Sequence, residues 1–164
     1  MPEPGEQAPD FTLASTDGEV RLSDRLRQGR VLLAFYFEDA TPTCSTEIEA
    51  LKDAYETLRE LGADVIAVSA DSVESHRAFA ERLGGVPFPL ASDTDLQAAR
   101  AYDVVAEDDP RRSRRALFVV EQDGRISYAA NPFNPNNLSQ LEGALRALGY
   151  RETEIDPRGY RALA

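Results

Sequence analysis

Val31-Leu32-Leu33-Ala34-Phe35-Tyr36-Phe37 is an unbroken apolar run of strand length. A strand with one face in water alternates apolar and polar residues. A run without alternation suits a strand buried on both faces, and such a strand needs helices above and below its sheet. A second run, Asp64-Val65-Ile66-Ala67-Val68-Ser69-Ala70, repeats the signal. Between the two, Ile48, Leu51, Tyr55, Leu58 and Leu61 recur at spacings of three and four, and Gly62 follows as a stop. That is one apolar stripe on a helix.

The flanking segments extend the pattern. Phe11-Thr12-Leu13 and Val20-Arg21-Leu22 surround Thr16-Asp17-Gly18, predicting an N-terminal hairpin behind an extended surface segment, Pro2 to Pro9. Ser72 caps a helix predicted to run to Leu83 and stop at Gly84-Gly85. Pro87 to Leu90 reads as a short extended piece and Asp95 to Tyr102 as a short helix. Ala116 to Val120 and Arg125 to Ala129 form a hairpin turning through Asp123-Gly124, and a last helix covers about Asn137 to Leu148. This order predicts an α/β fold, a three-layer α/β/α sandwich with a mixed central sheet and an N-terminal β-hairpin. Its parallel strands and terminal hairpin match a thioredoxin-like sheet better than a doubly wound one. A single domain over residues 1–164 is expected, with its core at about 5–148 and a polar C-terminal tail at 149–164.

Composition narrows the partners. At 164 residues and 42% hydrophobic, the chain can bury a real core. A formal charge of −11 repels phosphate backbones and anionic lipid, so neither nucleic acid nor a membrane surface is an expected partner. No apolar run approaches the ~20 residues of a spanning helix. Met1-Pro2-Glu3-Pro4-Gly5-Glu6 lacks the basic and apolar parts of an export signal, so a cytoplasmic location is expected.

There is one cysteine, Cys44, which excludes an intramolecular disulfide, a CxxC pair and a cysteine-rich zinc site. It falls where the loop after the first buried strand gives way to the helix. In open α/β sheets sites form beyond the carboxyl ends of strands. A thiol in the first turn of a helix meets free N–H groups and the positive end of the macrodipole, and both favour thiolate. The competing reading is a buried structural cysteine. Thr41 stands three residues before Cys44, with a hydroxyl able to turn toward the sulfur. Glu47, three residues after it, is placed to hold an arginine rather than to help a thiolate. Arg111, Arg112, Arg114 and Arg115 precede the strand at Ala116 and read by themselves as a solvated basic patch. Strand alternation sends Arg114 and Arg115 to opposite faces, so at most one points at the sulfur. The only histidine, His76, is expected on the exposed side of its helix, and Glu107-Asp108-Asp109 reads as solvated loop.

The segment Phe35 to Cys44 resembles the active-site segment of the peroxiredoxins, P-x-x-x-T/S-x-x-C after a strand. Gly5 to Leu13, Ser69 to His76, Phe88 to Asp93 and Arg115 to Val120 are similar to further segments of that family, in the same order. The resemblance spans about residues 5 to 148, and the groups it comes nearest are the one-cysteine, bacterioferritin-comigratory, Q and E types. It implies that Cys44 is the peroxidatic cysteine, Thr41 the hydroxyl that orients the peroxide, and Arg115 the guanidinium. Glu47 matches the acidic residue that supports the arginine. Two departures stand out. Phe37 occupies the place of the family proline, where it can shield the sulfur by bulk but not with a fixed backbone. Glu49 occupies the place where one subgroup carries a resolving cysteine.

The implied function is a thiol-dependent peroxidase acting on hydrogen peroxide or alkyl hydroperoxides through a sulfenic acid on Cys44. No metal, haem or flavin cofactor is implied. An outside thiol must then recycle the enzyme: a thioredoxin-like protein, a glutaredoxin-like protein or a low-molecular-weight thiol. Tyr36 and Phe37 fit core, pocket wall or dimer surface, and exposed aromatics there would suit docking of an identical subunit as a homodimer. Two alternative readings are a monothiol thiol–disulfide oxidoreductase and a noncatalytic thioredoxin-fold binding domain.

Overall fold

Both apolar runs become central strands. In the computed structural model, which describes residues 2–134 and 138–150, β3 (Arg30–Phe35) and β4 (Ala63–Ser69) pair in parallel around the crossover helix α2 (Pro42–Glu60). The hairpin β1 (Thr12–Ser15) and β2 (Gly18–Arg21), β5 (Leu90–Ser92), and the hairpin β6 (Ala116–Val120) and β7 (Ile126–Ala130) complete a seven-stranded mixed sheet. Its order is β2-β1-β5-β4-β3-β6-β7, with β3, β4 and β5 parallel and each hairpin antiparallel to its neighbour. This is the thioredoxin-like architecture expected.

Alternation along the buried strands divides the core into two layers. Leu32, Ala34, Val65, Ala67, Leu117 and Val119 face α2 and α5 (Leu138–Ala147), with Phe79 of α3 (Val73–Arg82) in the same cluster. Val31, Leu33, Phe35, Ile66, Val68 and Phe118 face the other way, toward α1 (Leu22–Leu26) and α4 (Gln97–Ala101).

Several boundaries differ from expectation. The first run ends as a strand at Phe35, although the Tyr36 N–H still donates to Val68 O at 2.9 Å. Helix α1 was not legible, because five residues are too short to show a stripe; its Leu22 and Leu26 are buried. Pro87 to Leu90 contributes only its end to β5, and the helix expected from Asp95 begins at Gln97. Tyr150, placed in the polar tail, is buried against the α2-side cluster. The rest of that tail lies outside the described residues.

Candidate active site

The antiparallel register of β3 and β6 pairs Phe35 with Ala116, so the carboxyl end of β3 lies beside the start of β6. Ser113 donates to Tyr36 O at 2.8 Å and ties the two segments together. The loop leaving β3 passes through Ala40, whose φ of 65° is unusual for a residue with a Cβ. It ends at Thr41, the N-cap of α2. Pro42 then takes the first helical position, where its missing N–H would have had no partner.

Cys44 thus lies in the first turn of α2. Its side chain is 0% exposed and belongs to the cluster containing Tyr36, Ile48 and Leu117. It is as buried as any structural cysteine, and only its position at a helix N-terminus sets it apart. The Thr41 hydroxyl accepts from the Cys44 N–H at 3.4 Å and donates to Glu38 O at 3.3 Å. Both contacts are long, so the hydroxyl is loosely tied beside the cysteine backbone.

Glu47, one turn further on, is completely buried, and neither carboxylate oxygen has a hydrogen-bond partner. Burial pushes its carboxyl well above the ordinary range, partly offset by the charge of Arg115. Arg115 has the parity of Leu117 and Val119, which face α2. Arg114 has the opposite parity and donates to Asp103 O at 3.4 Å. Both arginines line a cavity of about 670 Å³ together with Phe37, Glu107, Asp108, Pro132 and Phe133. Phe37 is half-buried there, whereas Tyr36 is core.

The structure overturns the expectation for His76. Its ring is 0% exposed, because His76, Phe79, Ala80 and Leu83 share the apolar stripe of α3. That spacing of three and four is present in the sequence and signals a buried ring. Nδ1 lies 2.8 and 3.0 Å from the two oxygens of Asp39, and Nε2 lies 3.0 Å from Ala91 O. Tyr36 donates to Asp39 at 2.6 Å, and its phenol is pushed well up by burial and by the Asp39 charge. Arg112 likewise does not sit in a solvated patch. It donates to Asp71 at 2.6 Å and to Glu38 at 3.3 Å. Burial raises the Asp71 carboxyl, but the Ser69 hydroxyl, Arg112 and the Asp39 N–H outweigh it and hold the group below the ordinary range.

Ligand atoms of Asp39, Asp71 and His76 lie within 4.8 Å of one another, the spacing of a metal site. Each of these atoms is already hydrogen-bonded within the protein, so the cluster closes on itself. Among the described residues, no helix is long and apolar enough to cross a membrane.

This combination of a thioredoxin-like sheet, a single cysteine in the first turn of the crossover helix and an arginine at the adjoining strand defines a thiol-chemistry enzyme. Residues 4–129 match the AhpC/TSA family. The chain is 37% identical over 157 residues to a chloroplastic 2-cysteine peroxiredoxin of Chattonella marina var. antiqua, covering 88% of this chain and 77% of the relative. It is 33% identical over 130 residues to a putative peroxiredoxin bcp of Coxiella burnetii, covering 76% and 85%. The crystal structure of peroxidoxin BcpB from Mycobacterium tuberculosis superposes with a TM-score of 0.81 at 27% identity, over 90% of this chain and 97% of that one. The chain belongs to the AhpC/TSA family of peroxiredoxins, which are thiol-dependent peroxidases. With one cysteine, it is a one-cysteine member similar to the bacterial BCP and Q types.

Proposed function

We propose that Cys44 is the sulfur that reduces peroxide, with Thr41 and Arg115 as its partners at the reacting oxygens. The observation that carries this reading is the position of the chain's one sulfur: in the first turn of α2, behind the Thr41 cap and one turn before Glu47, on which the charge of Arg115 acts. The N–H dipoles of that turn and the guanidinium favour negative charge on the sulfur and on the departing oxygen.

The thiolate attacks the distal oxygen of R–O–OH in line with the O–O bond, forming Cys44–S–OH and releasing R–O⁻, which takes a proton from water. Glu47, raised by burial and without a hydrogen-bond partner, acts on Arg115 through charge alone. Phe37 shields the sulfur from solvent by bulk. With no second thiol in the chain, an outside thiol R′SH condenses with the sulfenic acid to give Cys44–S–S–R′ and water. A second R′SH regenerates the Cys44 thiol and releases R′SSR′. A thioredoxin-like protein, a glutaredoxin-like protein or a small thiol can fill that role. A reducing compartment such as the cytoplasm suits this cycle. A homodimer is the assembly we favour, with half-buried Phe37 near its contact.

Stopped-flow peroxide consumption by wild type and Cys44→Ser, with each class of thiol, tests the reading. Peroxide reduction is expected to disappear in Cys44→Ser; an unchanged rate would sink the assignment.

A further inference from the structure

The peroxide reaction uses none of the buried charge at Asp39, which lies five residues before Cys44 in the loop that delivers it. The Asp39 side chain is 3% exposed and accepts hydrogen bonds from Tyr36 at 2.6 Å and Ser75 at 2.8 Å. The third group against it is His76 Nδ1. The Ala91 carbonyl and the Asp39 carboxylate both only accept, so each ring nitrogen of His76 carries a hydrogen and donates, Nε2 to Ala91 O and Nδ1 to Asp39. The ring is thereby fixed between β5 and the loop. The loop backbone is fastened as well: the Asp39 N–H donates to Asp71, which is held by Ser69 and Arg112, and Arg112 also reaches Glu38. Ala40 at φ 65° follows directly, a conformation that persists only where its surroundings enforce it.

We propose that His76 is a positioning residue for Cys44: with Asp39 it latches the β3–α2 loop onto α3 and so sets how tightly the first turn of α2 is held around the sulfur. The inference rests on the reading of Cys44 as the reacting sulfur. The two half-reactions make opposite demands. Peroxide cleavage needs the first turn of α2 formed around the thiolate. Joining the sulfenic sulfur to a second sulfur needs the first one accessible, and Cys44 is fully buried. The sheet is packed on both faces and α2 is seated on one of them along Ile48, Leu51, Ala54 and Leu58, so the loop is the segment that can move. A buried polar cluster suits a latch, because losing one partner leaves the others desolvated and unpaired. Such a loop is either fastened or free, with little between.

The test uses the two amide replacements of the ring. In His76→Asn the amide nitrogen stands near Nδ1 and can still donate to Asp39; in His76→Gln it stands near Nε2 and cannot. Two rates are measured on the whole protein: labelling of Cys44 by a polyethylene-glycol maleimide, and sulfenic acid formation with hydrogen peroxide. His76→Gln is expected to label about tenfold faster and to react with peroxide about tenfold more slowly, while His76→Asn stays within about threefold of wild type on both. Ile126→Val, on the other sheet face, controls for general loss of stability, with urea midpoints compared throughout. Unchanged rates in His76→Gln, equal behaviour of Asn and Gln, or equally fast labelling in an Ile126 variant of matched midpoint would each overturn the latch. If His76 variants do not fold, Ser75→Ala removes one Asp39 donor and leaves the ring; faster labelling supports the latch and unchanged labelling overturns it. Fast labelling of His76→Gln beside a wild type inert to peroxide supports the latch and refutes the peroxidase role of Cys44.

Discussion

Glu47 is fully buried beside the half-buried Arg115, and the two do not hydrogen-bond: neither Glu47 oxygen nor Arg115 Nε has a partner, although the Glu47 carboxyl feels the charge of Arg115. Burial outweighs that attraction and raises the Glu47 carboxyl. The folded protein therefore holds a proton that the unfolded chain releases. The stability this group contributes is full below the ordinary carboxyl range and is lost as pH rises through the raised folded value. Glu47→Gln removes the dependence. It is expected to match wild type in acid and to exceed it by about 1 kcal/mol or more near neutrality, read from urea midpoints across pH.

Arg115 and Arg114 border the same cavity, but Arg115 acts on Glu47 whereas Arg114, of opposite parity, donates to Asp103 O. Arg115→Ala is expected to lower kcat/KM for peroxide by about a hundredfold to a thousandfold, the range for removing one donor to a developing oxyanion. Arg114→Ala is expected to change it by no more than about threefold, on the order of 0.5 kcal/mol. Equal losses in steady-state assays would mean that parity does not decide which guanidinium acts.

Thr41 combines two tasks in one hydroxyl, the cap of α2 and a contact beside the sulfur. Thr41→Val is expected to cost about 1 kcal/mol in chemical denaturation, the loss of a cap. It should also reduce the rate of sulfenic acid formation by about a hundredfold, more than the cap alone explains. Thr41→Ser keeps the hydroxyl and should retain most of both.

Asp71 behaves oppositely to Glu47. Its carboxyl is held low in the folded state, so the stability it supplies is present above the unfolded value and is lost as pH falls through the folded one. Asp71→Asn is expected to cost about 3 kcal/mol at neutral pH, because Arg112 is left without its 2.6 Å partner. The difference from wild type should close in acid. A gap independent of pH would show that packing, rather than the ion pair, is what the substitution disturbs.

Local chemistry was enough for much of this molecule. Unbroken apolar runs require strands buried on both faces, the stripe from Ile48 to Leu61 requires a helix between them, and period-2 alternation separates Arg115 from Arg114. These properties depend on residues within a few positions of one another, so the strand pair, the helix between them and the place of Cys44 near its start could be read from the chain, whereas Arg115 is singled out only by the resemblance. Burial of charge could not. His76 and Asp39 are 37 residues apart in sequence, Arg112 and Asp71 are 41 apart, and the desolvation of Glu47 is set by the sheet face closing over α2. Whether a polar side chain meets water or a partner depends on which distant loops the sheet order brings together. That pairing, decided only when the strands assemble, is what fastens the loop that carries Cys44.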